Sequence, residues 1–329
     1  VSFSLQDVKM YITEAYDDAL RQILKNGVRK VNRIGFDMLA LFGIQSRYKI
    51  DECFPITTCR KVWPDAVFAE LIWFLSGSTN NQDLVDLGAK FWTPWVDRKF
   101  EEEHGFEEGD FGPVYGFQLR HFGADYLELK SLKKKIAAKN KELAELVAVE
   151  EKYDWTSSSS FDHQCVLPST TTMSGLTKLK EEYARKGGVD QLTAMVERLK
   201  TNPDCRRNLF SLWNPKDIGS MRLPPRHYTF QVFTHEDKIS GMLTQRSCDF
   251  HVGVPANVQF YSALIYMLGQ QTGFKPHEFV HSTVDNHIYV NQIDAIEEYL
   301  SRKKPDSPKL NLKPAEDIFS YKPDNFELF

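Results

Sequence analysis

The stretch HYTFQVFTHEDKISGMLTQRSCDFHVGVPANVQFYSALIYMLGQQT at 227–272 decides the fold. Residues 227–235, rich in β-branched and aromatic side chains, and 238–249 read as strands, whereas 255–272 is apolar along its length and reads as a buried helix. Working outward, 207–213 and 278–284 are two further strand-like segments. This ordering predicts an α+β fold, one sheet covered by helices.

Towards the N-terminus, Val8, Ile12, Ala15, Ala19, Ile23 and Leu24 recur at helical spacing and predict an amphipathic helix over 8–24. Residues 36–50 suit a bent strand around Gly43, and AVFAELIWFLS at 66–76 suits a buried helix with Glu70 at its middle. The run from 127 to 160 is Lys/Glu-rich, favours helix and ends in four serines. It reads as a solvated surface helix with a loop, a partner-binding or lid element being the alternative. Further helices are predicted at 174–186 and 189–201. With no repeat and no clear linker, the expectation is one domain over 1–329, interrupted by an inserted stretch at about 127–187.

A net charge of -4, 42% hydrophobic and 26% charged residues describe an ordinary globular chain with no global signature of nucleic-acid binding. No apolar run reaches the ~18 residues that would span a bilayer, and no secretory signal is visible, so a cytoplasmic setting is expected. Five cysteines, Cys53, Cys59, Cys165, Cys205 and Cys248, are widely separated and form no Cys-x-x-Cys pair. Reduced thiols are expected, with neither a disulfide framework nor a metal site.

Two features point to chemistry. Arg206, Arg207 and Arg246, in CRRNLFSLWNP at 205–215 and QRSCDFHVGVPANVQFY at 245–261, supply forked donors suited to a phosphate. Each alone reads as a surface or ion-pair arginine. Glu70, inside an apolar helix, is expensive unless paired or hydrated, which favours function over packing.

Those strings stand in order with FGIQSRY at 42–48, FPITTCRKV at 54–62, ELIWFLSGSTN at 70–80, FWTPWVD at 91–97, DFGPVYGFQLRHFGADY at 110–126 and DNHIYVNQ at 285–292. Together they resemble the thymidylate synthase family over nearly the whole chain outside the insertion. The resemblance implies a large twisted mixed sheet covered by helices, one sheet face forming a homodimer interface. It implies one-carbon transfer from 5,10-methylenetetrahydrofolate, a co-substrate, to carbon 5 of dUMP. No metal, nucleic-acid polymer or membrane is called for.

Carried over residue by residue, Arg33, Arg206, Arg207 and Arg246 would hold the nucleotide 5′-phosphate with Ser247, and Arg206 and Arg207 would reach into the partner subunit's site. His287 and Tyr289 would contact the sugar hydroxyl. Asn257 would read the imide edge of uracil, an amide offering both donor and acceptor. Glu70 and Tyr115 would handle protons, with His227 and Gln231 near the base. Trp92, Asp249 and Gly253 would meet the folate.

In the family's reaction a thiolate adds to carbon 6 of uracil, making carbon 5 nucleophilic towards the folate methylene. The resemblance places that cysteine at 226, between Pro225 and His227, where this chain has Arg226. A guanidinium is always protonated and carries only donors, so it does not replace the thiolate. The alternatives are a lost nucleophile in an enzyme, a silent nucleotide-binding homologue, and changed chemistry. Ala256, Val284 and the ending YKPDNFELF depart from the synthase pattern on the folate side. They suit either divergence or a dUMP hydroxymethylase, in which water captures the intermediate to give 5-hydroxymethyl-dUMP.

Overall fold

The computed structural model describes residues 14–31, 35–150 and 168–329. Its N-terminal half contains α1 (Glu14–Asn26), β1 (Val28–Val31), β2 (Asp37–Lys49), α2 (Pro64–Ser76), α3 (Asn81–Asp86), α4 (Arg98–His104) and α5 (Tyr115–Arg120). Then follow α6 (Tyr126–Glu150), α7 (Pro168–Lys186), α8 (Gln191–Thr201), β3 (Leu209–Ser211), β4 (His227–His235) and β5 (Lys238–Asp249). The chain closes with α9 (Gly253–Thr272), β6 (Lys275–Tyr289), α10 (Ile293–Ser301), β7 (Leu310–Leu312) and β8 (Phe326–Leu328).

Six strands form one mixed sheet in the order β1-β2-β6-β5-β4-β3, confirming the α+β reading. Four of the pairings are antiparallel, and β5 and β6 pair in parallel. Parallel neighbours need a crossover, which the 20-residue α9 supplies. The strand expected at 207–213 contracts to three edge residues, while that at 278–284 extends to 275–289 because β2 and β5 pair along nearly its whole length.

Register sorts the sheet into two faces. Ser46, His281, Leu243, Phe230 and Phe210 lie in one cross-strand row, all buried under helices. The next row, Arg47, Val280, Met242, Gln231 and Leu209, points the other way, with Met242 and Leu209 each 40% exposed. Alternation is broken at β4, where the register shifts between His227 and Thr229. That bulge sets His227 opposite Gln245, so that His227 and Phe230, three residues apart, both face inward.

The helix expected at 66–76 is α2, whose side chains bury on nearly every side. Pro64 opens it, and Gly77 closes it at φ 75° with its N–H donated to the Phe74 carbonyl. Of the helix expected over 8–24, the described part begins at Glu14 and buries Tyr16, Ala19, Leu20 and Ile23. Gly43, at φ 75°, interrupts the β2–β6 ladder between the pairs Phe42↔Asp285 and Ile44↔Thr283 and gives β2 its bend.

The chain divides into two compact units, His121–Asp190 and the remainder. The smaller unit contains the expected insertion at about 127–187 and is built on α6 and α7. Tyr126, Leu129, Leu132 and Leu176 are buried, and Lys186 pairs with Glu128 and Glu182. α7 begins six residues before the expected 174 because Ser169 and Thr172 are buried and the Thr172 hydroxyl donates to Glu142 at 3.0 Å. Tertiary contact outweighs the weak helix propensity of that Ser/Thr run. No helix of the described residues is long and apolar enough to cross a membrane.

Candidate active site

α2, α5, α9 and the inward end of β4 enclose a cluster of titratable side chains. Glu70 is 9% exposed, and the Trp92 indole N–H donates to its Oε1 at 2.5 Å. Burial raises the Glu70 carboxyl to about 7, against the lowering effects of that hydrogen bond and of the Arg226 charge. The ring of Phe74, one turn further along α2, stacks on Tyr115 at 4.7 Å and on His227 at 5.9 Å. Glu70 and Phe74 therefore share a helix face, joining an acid to an aromatic wall.

Arg226 ends the loop before β4, and its backbone is held from two sides. Its N–H donates to the Tyr115 hydroxyl at 2.8 Å, and its carbonyl accepts from the Arg246 backbone N–H at 2.8 Å. The Arg246 guanidinium grips the same loop, with Nε to the Pro225 carbonyl at 2.8 Å and Nη2 to the Pro224 carbonyl at 3.1 Å. Among the described residues the Arg226 guanidinium itself makes no hydrogen bond or ion pair; the side chain is exposed. Its charge bears on Glu70, Tyr115 and His227.

His227 is 7% exposed, and its Nδ1 lies 2.7 Å from the Tyr261 hydroxyl of α9. Burial, then the Arg226 charge, then His281 lower it to about 3, so the ring is neutral at neutral pH. Burial also raises the hydroxyls of Tyr115 and Tyr261. Beside them Gln245 Oε1 accepts from Asn257 Nδ2 at 3.1 Å and pairs with His281 Nε2 at 2.9 Å. His281, brought to about 3 by burial, is neutral, and the donor to Gln245 is its Nε2–H tautomer. One Asn257 N–H is thus engaged by the protein, which fixes the orientation of the amide.

The match of a family model described as thymidylate synthase runs over residues 14–329. The chain belongs to the thymidylate synthase family. It is 36% identical to the thymidylate synthase of Homo sapiens over 317 residues, covering 95% of this chain and 85% of the human protein. Against the thymidylate synthase of Varicella-zoster virus (strain Dumas) the identity is 34% over 330 residues, covering 99% and 91%. The bifunctional dihydrofolate reductase-thymidylate synthase of Paramecium tetraurelia is 34% identical over 95% of this chain and 57% of its own length.

Of the site residues expected from the family, the inner sheet face brings together Glu70, Trp92, Tyr115, His227 and the backbone of Arg226, with Asn257 nearby on α9. A second group gathers at the end of the β5–β6 ladder. Ser247 pairs with Asp285, Asp249 pairs with His287, and the His287 and Tyr289 rings meet edge to face at 5.7 Å. Asp249 Oδ1 accepts the Val252 N–H at 3.0 Å just before Gly253 opens α9. Arg33 lies outside the described residues.

Arg206, Arg207 and Gln231 stand apart from both groups. The two arginines are exposed before β3, and Gln231, on the outward row of β4, donates to the Arg206 carbonyl at 3.2 Å. Gln231 was expected near the base, but it is residue 245 that register sets beside His227. Gln245, Tyr261 and His281 were missed as site residues. All three lie in segments read as strand or motif, yet a polar residue in a strand announces its face only through register.

The two motif thiols are each engaged by other groups. Cys248 is fully buried, donates to the Gln245 carbonyl and is held well above its ordinary value by burial. Cys205 is lowered by its hydrogen bond with Arg207, but it accompanies Arg207 before β3.

Proposed function

We propose that this chain carries the ligand-binding half of a thymidylate synthase site and lacks its nucleophile. The substrate is dUMP, the one-carbon donor 5,10-methylenetetrahydrofolate, and the family's product dTMP. The observation that carries this reading is the sealed Glu70–Trp92–Tyr115–His227 cluster, built around the backbone of residue 226. A carboxyl poised near 7 both gives and takes protons at neutral pH, the property needed at a pyrimidine carbonyl. Neutral His227 adds no further cation beside Arg226 and Arg246.

Asn257, oriented by Gln245, suits the adjacent carbonyl and ring N–H of uracil. Trp92 and Asp249 would meet the folate, which supplies the methylene group and, in the reductive route, a hydride. His287 and Tyr289 would hold the sugar hydroxyl, and Ser247, Arg246 and Arg33 the phosphate. Arg206 and Arg207 would complete the phosphate site of a second copy in a homodimer. The exposed apolar residues of the outward sheet face, Phe233 at 69%, Met242 and Leu209, support that assembly.

Arg226 favours a second reading, a homologue that binds dUMP without turning it over. The Arg226→Cys protein separates the two. Incubated with dUMP and methylenetetrahydrofolate, it is expected to release dTMP and dihydrofolate, read by absorbance and product chromatography. Release of 5-hydroxymethyl-dUMP and tetrahydrofolate instead assigns the hydroxymethylase reaction. No product, with dUMP still bound, supports the silent homologue.

A further inference from the structure

Away from the candidate site, three segments distant in sequence converge on a buried lysine. The Lys304 side chain, only 12% exposed, places its Nζ 3.3 Å from Cys59 Sγ and 3.3 Å from Asp17 Oδ2. The same ammonium donates to the Tyr299 carbonyl at 2.9 Å and lies 3.4 Å from the centre of the Tyr299 ring. Cys59 Sγ faces the Tyr299 carbonyl as well, at 4.0 Å, and the Cys59 carbonyl is held by Arg302 Nη1 at 2.8 Å. Amine, thiol and carboxylate are thus held within reach of one another.

Surface lysines usually keep their ammonium in water, and burying one carries a desolvation cost that Asp17 offsets. A sulfur adds little to that stabilisation, because a thiol is a weak acceptor. What the arrangement does supply is a nitrogen nucleophile at contact distance from an oxidisable sulfur. A cysteine oxidised to the sulfenic acid condenses with an adjacent nitrogen to give a sulfur–nitrogen bond.

We propose that Cys59 and Lys304 form an oxidative cross-link, with hydrogen peroxide as the oxidant. Peroxide gives one oxygen to Cys59 sulfur, which loses two electrons, and the other oxygen leaves as water. The Lys304 nitrogen then attacks that sulfur, the sulfur–oxygen bond breaks, and the oxygen departs as a second water. In sum, one thiol, one amine and one hydrogen peroxide give one sulfenamide and two waters. The ammonium gives up one proton to solvent before the attack, and a second nitrogen proton leaves with the sulfenic oxygen as water, while Asp17, at 3.3 Å, holds the nitrogen in place.

The link would tie the segment before α2 to the segment after α10. These are already joined by the Phe54 N–H to the Pro308 carbonyl at 2.7 Å and the Thr58 hydroxyl to the Pro305 carbonyl at 3.1 Å. Arg60, next to Cys59, donates to the His251 carbonyl at 2.6 Å, in the turn that opens α9. The cross-link therefore staples the approach to both helices that frame the candidate site.

The test uses the whole chain, treated with a few equivalents of hydrogen peroxide, digested and examined by mass spectrometry. The expected result is a linked pair of peptides containing Cys59 and Lys304, lighter than their sum by two hydrogens and separated again by dithiothreitol. Thermal melting should rise by about 5 °C on treatment, since the link closes a long loop of the unfolded chain. Lys304→Arg keeps the charge beside Asp17 but is not expected to form the link, and Cys59→Ser removes the sulfur; in each variant the melting temperature should be the same with and without peroxide. Recovery of Cys59 as sulfinic acid with Lys304 unmodified, or Cys59 still a free thiol while other cysteines have been oxidised, would overturn the proposal.

Discussion

The two faces of the six-stranded sheet share their strands and differ in everything that water controls. On the inner face Glu70, Tyr115, His227 and His281 are buried, and burial heads the causes that move each of them from its ordinary value. On the outer face Arg47 pairs with Glu278 at 2.6 Å in solvent, and Phe233 and Met242 stand uncovered. The inner face has given up solvation to place protons, whereas the outer face keeps solvated charge beside apolar surface. Removing one side chain from either face therefore tests a different property.

The largest effect belongs to the inner face. In an Arg226→Cys background that turns over dUMP, adding Glu70→Gln should lower kcat about 10²–10⁴-fold, the usual worth of a positioned acid or base. Binding of dUMP should change little, as isothermal titration would read. An equal loss of affinity would recast Glu70 as a substrate contact.

Next comes the pH dependence of folding. Between pH 6.5 and about 3 an unfolded chain protonates His227 and His281 while the folded chain does not, so their contribution is lost as pH falls through that window. Glu70 acts in the opposite sense. The folded carboxyl keeps its proton to about 7 while the unfolded one releases it near 4.5, so stability is lost as pH rises between those values. Urea unfolding of Glu70→Gln should show less decline between pH 5 and 7.5 than the parent, by on the order of 3 kcal/mol. An unchanged slope would place the Glu70 carboxyl in contact with water.

On the outer face, Phe233→Asp should weaken self-association by about 2 kcal/mol, the cost of losing a central apolar contact. Sedimentation velocity would read a shift towards monomer, while melting of the dilute protein stays put. A protein that is monomeric before substitution would remove the proposed assembly. The smallest effect is expected in the smaller unit, where Lys139 pairs with Glu142 in solvent at 2.9 Å. Lys139→Ala should change stability by about 0.5 kcal/mol or less, measured by urea unfolding.

Much of the fold was legible. α2, β4, β5 and α9 fall within two residues of where the sequence places them, α2 and α9 because they are apolar nearly all round and β4 because β-branched and aromatic residues dominate it. The short edge strand and the start of α7 were not, because pairing geometry and a buried threonine set those limits. The candidate site was legible in its residue types and only partly in its geometry. Glu70 stood out as an acid in an apolar helix; Gln245 and His281 did not, since an amide or imidazole in a strand gives no sign of its face.

By itself the sequence determined most of the helices and strands, the family and the presence of an arginine at 226, because residue type and spacing carry that information locally. Only the tertiary structure decided that His227 looks inward and Gln231 outward. Simple alternation from Phe230 would turn His227 to the open face, and the bulge at 227–229 reverses it. Likewise only the folded chain brings Asp17, Cys59 and Lys304 together, since contact between residues more than 200 apart is made by packing and written in no local pattern.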